Sequence, residues 1–171
     1  MTVLWFVSAI LAGPVVVEVT GYFWHRWAEH NAVFGKHIQS YHIRHHEHDY
    51  PVEKLRPAGQ NKYRSARSWG WYVLTVFLVL STFLLVPRPY NFVMILSGLV
   101  YAKLVISYMH TRFHVRQHWL VRTKFFQRIQ KLHDIHHYGP YNYGILFYFM
   151  DRIFGTYRST FPKAKQNNFS S

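Results

Sequence analysis

The chain has 171 residues, enough for one domain and too few for two of ordinary size. Half of it is apolar and 19% aromatic, yet 20 Lys and Arg and 13 His face only seven acids, a formal charge of +13. Cysteine is absent, which excludes disulfides and thiolate sites and leaves nitrogen and oxygen as metal donors.

Val3 to Trp24 is apolar or aromatic almost without interruption, broken by Ser8, Glu18 and Thr20. About 20 such residues cross a bilayer as a helix, and this run is read as the first span. A cleaved signal peptide is disfavoured, since no basic residue precedes the run and it continues past any cleavage site. Pro14 inside it is a kink of the kind neighbouring helices tolerate. After a polar, histidine-rich stretch come two further runs, Trp69 to Val86 and Asn91 to Met109, joined by Pro87-Arg88-Pro89. So short a turn predicts a helical hairpin of two spans.

Three spans put residues 24–68 on the same side as everything from His110 onward. Of the basic residues, eight lie between Arg26 and Arg67 and ten between Arg112 and Lys165, with only Arg88 and Lys103 elsewhere. The positive-inside rule then predicts both stretches in the cytosol and the N-terminus outside. This placement accounts for the charge without a nucleic acid partner and suits anionic headgroups. Gly144 to Met150 is too short to cross and reads as re-entrant or interfacial. Lys163 to Ser171 reads as a disordered tail. The expected architecture is an all-α integral-membrane bundle of about three spans with a cytosolic, histidine-rich helical cap. Residues 1–160 are expected to form one domain and 161–171 a flexible tail.

All 13 histidines lie in two stretches, His25 to His48 and His110 to His137. The spacings are His25-x4-His30, His42-x2-His45-His46, His110-x3-His114 and His133-x2-His136-His137. On an α-helix, positions i, i+3 and i+4 fall within an arc of about 100°, so each HxxHH set is expected to aim its imidazoles one way. His25 and His30 would stand about 140° apart, which predicts that they serve different metals or straddle a helix end. Imidazole suits iron, zinc, copper or nickel, and an ion takes about four such ligands, so ten imply two ions. Histidines as interfacial anchors or pH sensors need no repeated helical facing.

The motifs HRWAEH, HIRHH, HTRFH and HDIHH, followed by YNYG and DRIFGTY, resemble the fatty acid hydroxylase and sterol desaturase superfamily from Glu18 to about Tyr157. The resemblance implies two iron ions, O2 as co-substrate and electrons from outside the chain. It also implies that the metal ligands are His25, His30, His42, His45, His46, His110, His114, His133, His136 and His137. Zinc is an expected but inactive replacement in purified protein, because zinc cannot change oxidation state. The implied activity is hydroxylation or desaturation of a fatty acyl chain, sphingolipid or sterol. A carotenoid ring hydroxylase is the nearest alternative; its third box usually resembles H-x4-H, whereas three residues separate His110 from His114. A non-enzymatic metal transporter is the alternative of another class, and its histidines would line a crossing path. The chain leaves no room for a fused haem domain, so a separate cytochrome or ferredoxin-type donor is expected.

Asn142 matches the family's asparagine after the last box and is a candidate to orient a ligand or water, with a simple turn role as the rival. Glu29, Glu47, Asp49 and Asp134 adjoin histidines and are candidates to orient imidazole N–H groups. His37, His48 and His118 fall outside the boxes, and His118 is read as an ordinary interfacial histidine. Glu18 and Lys103 each precede the first histidine of a stretch by seven residues, about 10 Å deeper in the bilayer. Charges at such depth avoid lipid, so both are expected to face the bundle interior, as an ion pair or with Glu18 bonded to a ligand histidine.

Overall fold

The computed structural model describes residues 2–58, 63 and 70–162, and these contain helices and loops and no strand. Helix α1 spans Thr2–Phe23 and runs on, with π-helical bonding, through Trp24–His30. Helix α2, Lys36–Arg44, likewise continues as the π-helix His45–Asp49. Helix α3, Gly70–Leu85, turns at residues 86–89 into α4, Tyr90–Tyr101, which continues as the π-helix Ala102–Ser107 and then as α5, Tyr108–Phe113. Helix α6 covers Lys124–His137 and α7 Phe149–Ile153.

Two continuous helices, Val3–His30 and Tyr90–Phe113, are long and apolar enough to cross a membrane. They are 28 and 24 residues long and begin close to the expected first and third spans. At 16 residues, α3 covers about 24 Å, short of a hydrocarbon core of about 30 Å. The expected hairpin is present, since α3 packs antiparallel on α4. The predicted start of the second span, Trp69, and the predicted tail from Lys163 lie outside the described residues. Aliphatic side chains stand bare around the three helices, with Leu4 72% and Leu84 85% exposed, as a lipid-facing surface requires.

Helices α1 and α4 run parallel and in contact. Phe6 meets Tyr90 at one end, Ser97 Oγ reaches the Ala9 carbonyl in the middle, and Tyr101 meets Glu18 towards the other. The close approach rests on Gly13 and Gly98: a Cβ added at Gly13 would stand 2.4 Å from the Met94 carbonyl and 2.6 Å from the Gly98 nitrogen. Small residues at such a crossing let two backbones pack without side chains between them.

The remaining elements gather at the histidine end of this pair. Phe113, Phe126, Ile129, Leu132 and Tyr148 form a buried core that ties α5 to α6. Tyr22, Tyr143 and Met150 form another, seating α7 and the preceding loop on α1. Residues 144–148 form a loop that leads into the five-residue α7, which folds against α1.

Candidate metal centre

The ten box histidines converge. One group comprises His25, His30, His42, His46 and His136, and a second His45, His110, His114 and His133; the donor atoms of each lie within 4.8 Å of one another. His137 joins the two, with Nε2 3.3 Å from His133 Nε2 and its ring stacked on His46 at 4.1 Å. His37 and His48 are exposed. His118 bonds the Arg112 carbonyl and packs on Phe126, apart from both groups.

Helix geometry accounts for this sorting and corrects two expectations. A π-helix has roughly 4.4 residues per turn, so five residues separate side chains by about 50° rather than 140°. His25 and His30 therefore share one group instead of serving separate metals, and His30 is also the last residue of its helix. Each HxxHH set, conversely, is divided. The first sends His42 and His46 to one group and His45 to the other; the second parts His136 from His133. An arc of about 100° is wide enough to face two adjacent sites, and each set straddles both.

The ring nitrogens carry the argument for a cation. His25 Nδ1 lies 2.7 Å from the Tyr143 carbonyl, His136 Nδ1 2.7 Å from that of Tyr141, and His114 Nδ1 3.0 Å from that of Leu55. A carbonyl only accepts, so each Nδ1 carries the proton and each Nε2 presents a lone pair. Those lone pairs face other Nε2 atoms, His25 towards His42 at 3.1 Å, His136 towards His30 at 3.2 Å and His114 towards His133 at 3.0 Å, and the Nε2 atoms of His42 and His30 lie 2.9 Å apart. Among the described residues, both nitrogens of His45, Nε2 of His46 and Nδ1 of His133 are buried without a hydrogen-bond partner. Converging lone pairs in a buried site are what a nitrogen-ligated metal needs, so the residues fit one ion in each group.

Electrostatics keep the donors in the form a metal requires. Burial, reinforced by neighbouring imidazoles, holds His42, His45, His46, His133 and His136 well below the usual histidine range. Burial pushes His137 down to about 2 and His114 to about 3, the latter against the opposing pull of the Leu55 carbonyl. Tyr50 is fully buried and stacks on the His114 ring at 3.9 Å, while Phe113 covers His133 at 4.8 Å.

The YNYG and DRIFGTY motifs form the frame behind the first group. Asp151 accepts hydrogen bonds from the Tyr143 and Gly144 amides, each 2.8 Å, and from Thr156 Oγ1 at 2.7 Å. Asn142 is fully buried at φ +52°, donates to the Leu132 and Arg158 carbonyls, and accepts from the Arg158 amide. Its carboxamide thus faces backbone and no histidine. What it orients is its own neighbours, because the carbonyls on either side, Tyr141 and Tyr143, hold His136 and His25.

Of the acids beside histidines, Glu29 alone meets a box imidazole, with Oε2 3.5 Å from His42 Nδ1 and Oε1 accepting from Trp24 Nε1. Asp134 instead makes a two-pronged ion pair with Arg56 at 2.6 and 2.7 Å, tying the loop after α2 to α6. Glu47 is exposed and Asp49 half-buried. Sequence reasoning does not find the carbonyls of Leu55, Tyr141 and Tyr143, since every residue has one. Asp151 is legible in the sequence as the lone acid of DRIFGTY.

Glu18 and Lys103 part company. Glu18 is buried and accepts a short hydrogen bond from the Tyr101 hydroxyl. Its partner is thus neither a histidine nor Lys103, which is largely exposed although it borders the same cavity as Glu18. The equal spacing misleads because most of the path from Lys103 to His110 is π-helical, turning Lys103 about a quarter-turn off that histidine's face. All but two steps from Glu18 to His25 are α-helical.

A cavity of about 510 Å³ opens onto His25, His42, His45 and His110 and descends between α1 and α4 past Glu18 and Leu99. Fold and site together define a helical protein with crossing-length apolar helices and paired histidine groups at one end. The family model "Fatty acid hydroxylase" matches residues 10–156, and the chain belongs to that family. No curated protein and no solved structure matches it. The family implies an enzyme of the membrane hydroxylase and desaturase class with a lipid substrate and a metal, in keeping with the apolar helices and the histidine groups.

Proposed function

We propose that the protein is a di-iron oxygenase that uses O2 to hydroxylate or desaturate a lipid such as a fatty acyl chain, sphingolipid or sterol. One observation carries the reading: two adjacent all-imidazole groups open onto a cavity that descends between membrane-length helices. His25, His30, His42, His46 and His136 would hold one metal and His45, His110, His114 and His133 the other, with His137 between them. Bound iron would supply the redox chemistry with O2 that an unactivated C–H bond requires and zinc lacks.

The chain's own residues do the rest. The carbonyls of Tyr143, Tyr141 and Leu55 fix the ring orientation of His25, His136 and His114. Tyr50 and Phe113 shield His114 and His133 of the second group from bulk water. Val17, Leu99 and Ile106 line the cavity and suit a hydrocarbon chain entering from the bilayer.

Reduction of O2 needs electrons, and the separate donor is expected to be an acidic protein. Lys124, Arg128 and Lys131 lie exposed at i, i+4 and i+7 on α6, on the side opposite His133. Between residues 112 and 133 there are six basic residues and no acid. A donor seated there would stand about one helix diameter, roughly 10 Å, from the imidazoles. The basic distribution supports a cytosolic histidine end and an outside N-terminus.

The test compares cells expressing the wild type with His45→Ala: iron per purified chain, and lipid extracts by mass spectrometry. About two irons per wild-type chain and an oxidised lipid that disappears in the variant are expected. A wild type that binds iron but leaves every lipid unchanged under reducing, aerobic conditions would sink the reading.

A further inference from the structure

The cavity beneath the histidines is not a plain hydrocarbon slot. Two helical turns below His25, about 10 Å, its wall carries the carboxylate of Glu18. Glu18 is 5% exposed in an otherwise apolar stretch of α1, and Tyr101 of α4 steadies it by donating its hydroxyl to Oε1. Among the described residues the space narrows below that level. The next cavity, between Gly13, Val16, Val79, Met94 and Ile95, has a volume of only about 50 Å³, room for a few atoms.

We infer that Glu18 is a binding residue for the polar end of the substrate, and that the substrate is a lipid alcohol whose hydroxyl donates to this carboxylate. The inference rests on the oxygenase reading above for the fate of the bound lipid, though not for its binding. The carboxylate already accepts from Tyr101 and from the Phe147 backbone amide, and its two oxygens keep lone pairs for a further donor. A hydroxyl is the neutral donor that a lipid carries most cheaply into an apolar site, whereas an ionised fatty acid is costlier to bury and has no proton to donate to Glu18. A site that offers a hydrogen bond disfavours analogues that lack the group, so a plain hydrocarbon is expected to bind less well. The depth also sets a ruler: about 10 Å of extended chain places the oxidised carbon about eight carbons from the hydroxyl.

The test uses purified protein in nanodiscs with 1-hexadecanol, hexadecane or palmitate added at matched mole fractions, binding being read from the rise in Tm. Wild type is expected to take hexadecanol at a mole fraction at least about tenfold lower than the other two. Glu18→Leu should abolish that preference while keeping the weak hexadecane response, and Glu18→Gln, which retains an acceptor, should keep part of it. Equal binding of all three lipids, a preference for palmitate, or an undiminished preference in Glu18→Leu overturns the inference and leaves Glu18 as helix-to-helix glue. Should Glu18→Leu fail to fold, the wild-type comparison and Glu18→Gln still decide. Iron content of the same samples separates the two readings: protein without iron that still prefers hexadecanol counts against the oxygenase and for the site.

Discussion

An imidazole in the unfolded chain takes up a proton near pH 6.5, whereas those buried in the two groups do so only at much lower pH. Protonation therefore favours the unfolded state. The stability involved is complete above pH 6.5 and is lost as the pH falls below it towards the depressed folded values, by up to about 1.4 kcal/mol per pH unit for each histidine. The Tm of metal-stripped protein should fall steeply between pH 7 and 5, and a flat profile would mean that the imidazoles are not buried together. Asn142 offers a second residue-level test. Asn142→Ala removes three buried hydrogen bonds, each contributing about 1 kcal/mol, and places a Cβ residue without a compensating side chain at φ +52°. Asn142→Gly loses the same bonds but accommodates the backbone. Both should lower Tm and iron retention, Ala by about 1 kcal/mol more than Gly; unchanged iron retention in both would show that the Tyr141 and Tyr143 carbonyls hold their imidazoles unaided.

The three π-helical segments each adjoin or contain a histidine box. Six π residues turn through about the same angle as five α residues, so the segment Ala102–Ser107 behaves as an α-helix with one residue to spare. Deleting Leu104, an exposed residue within it, should leave iron content close to wild type. Inserting one alanine there has no such outlet and would rotate His110 and His114 by about 100°, halving the iron bound per chain. Equal loss from both changes would contradict this account. The boxes themselves are legible in the sequence, because side-chain identity and spacing are what a ligand set is made of. So are the two crossing-length apolar helices and the hairpin, which length and hydropathy define, whereas the second expected span is only 16 residues long among the described residues. The sorting of donors between groups is not, since π bonding is a property of the backbone and WHRWAEH has no residue that announces it. The pairing expected of Lys103 failed for that same reason.

At the scale of the whole molecule, the parallel crossing of α1 and α4 sets the separation of the histidine-bearing ends. Gly13→Val must push apart backbones that a single Cβ would already approach at 2.4 Å. Overpacking of this kind costs about 1–3 kcal/mol or more, so lower Tm and loss of iron together are expected, with Gly13→Ala intermediate. A variant that melted early yet kept full iron would show that the histidine end is self-supporting. That end is also assembled from distant parts of the chain. His136 completes a group begun by His25, His133 completes one begun by His45, and the Tyr143 carbonyl orients His25 from 118 residues away. During synthesis, then, neither donor set is whole while α6 remains in the ribosome. A half-made chain has its first helix and its first box, but no finished pocket in which a metal could be trapped, so loading of the metal proposed for this site would be the closing act of biogenesis.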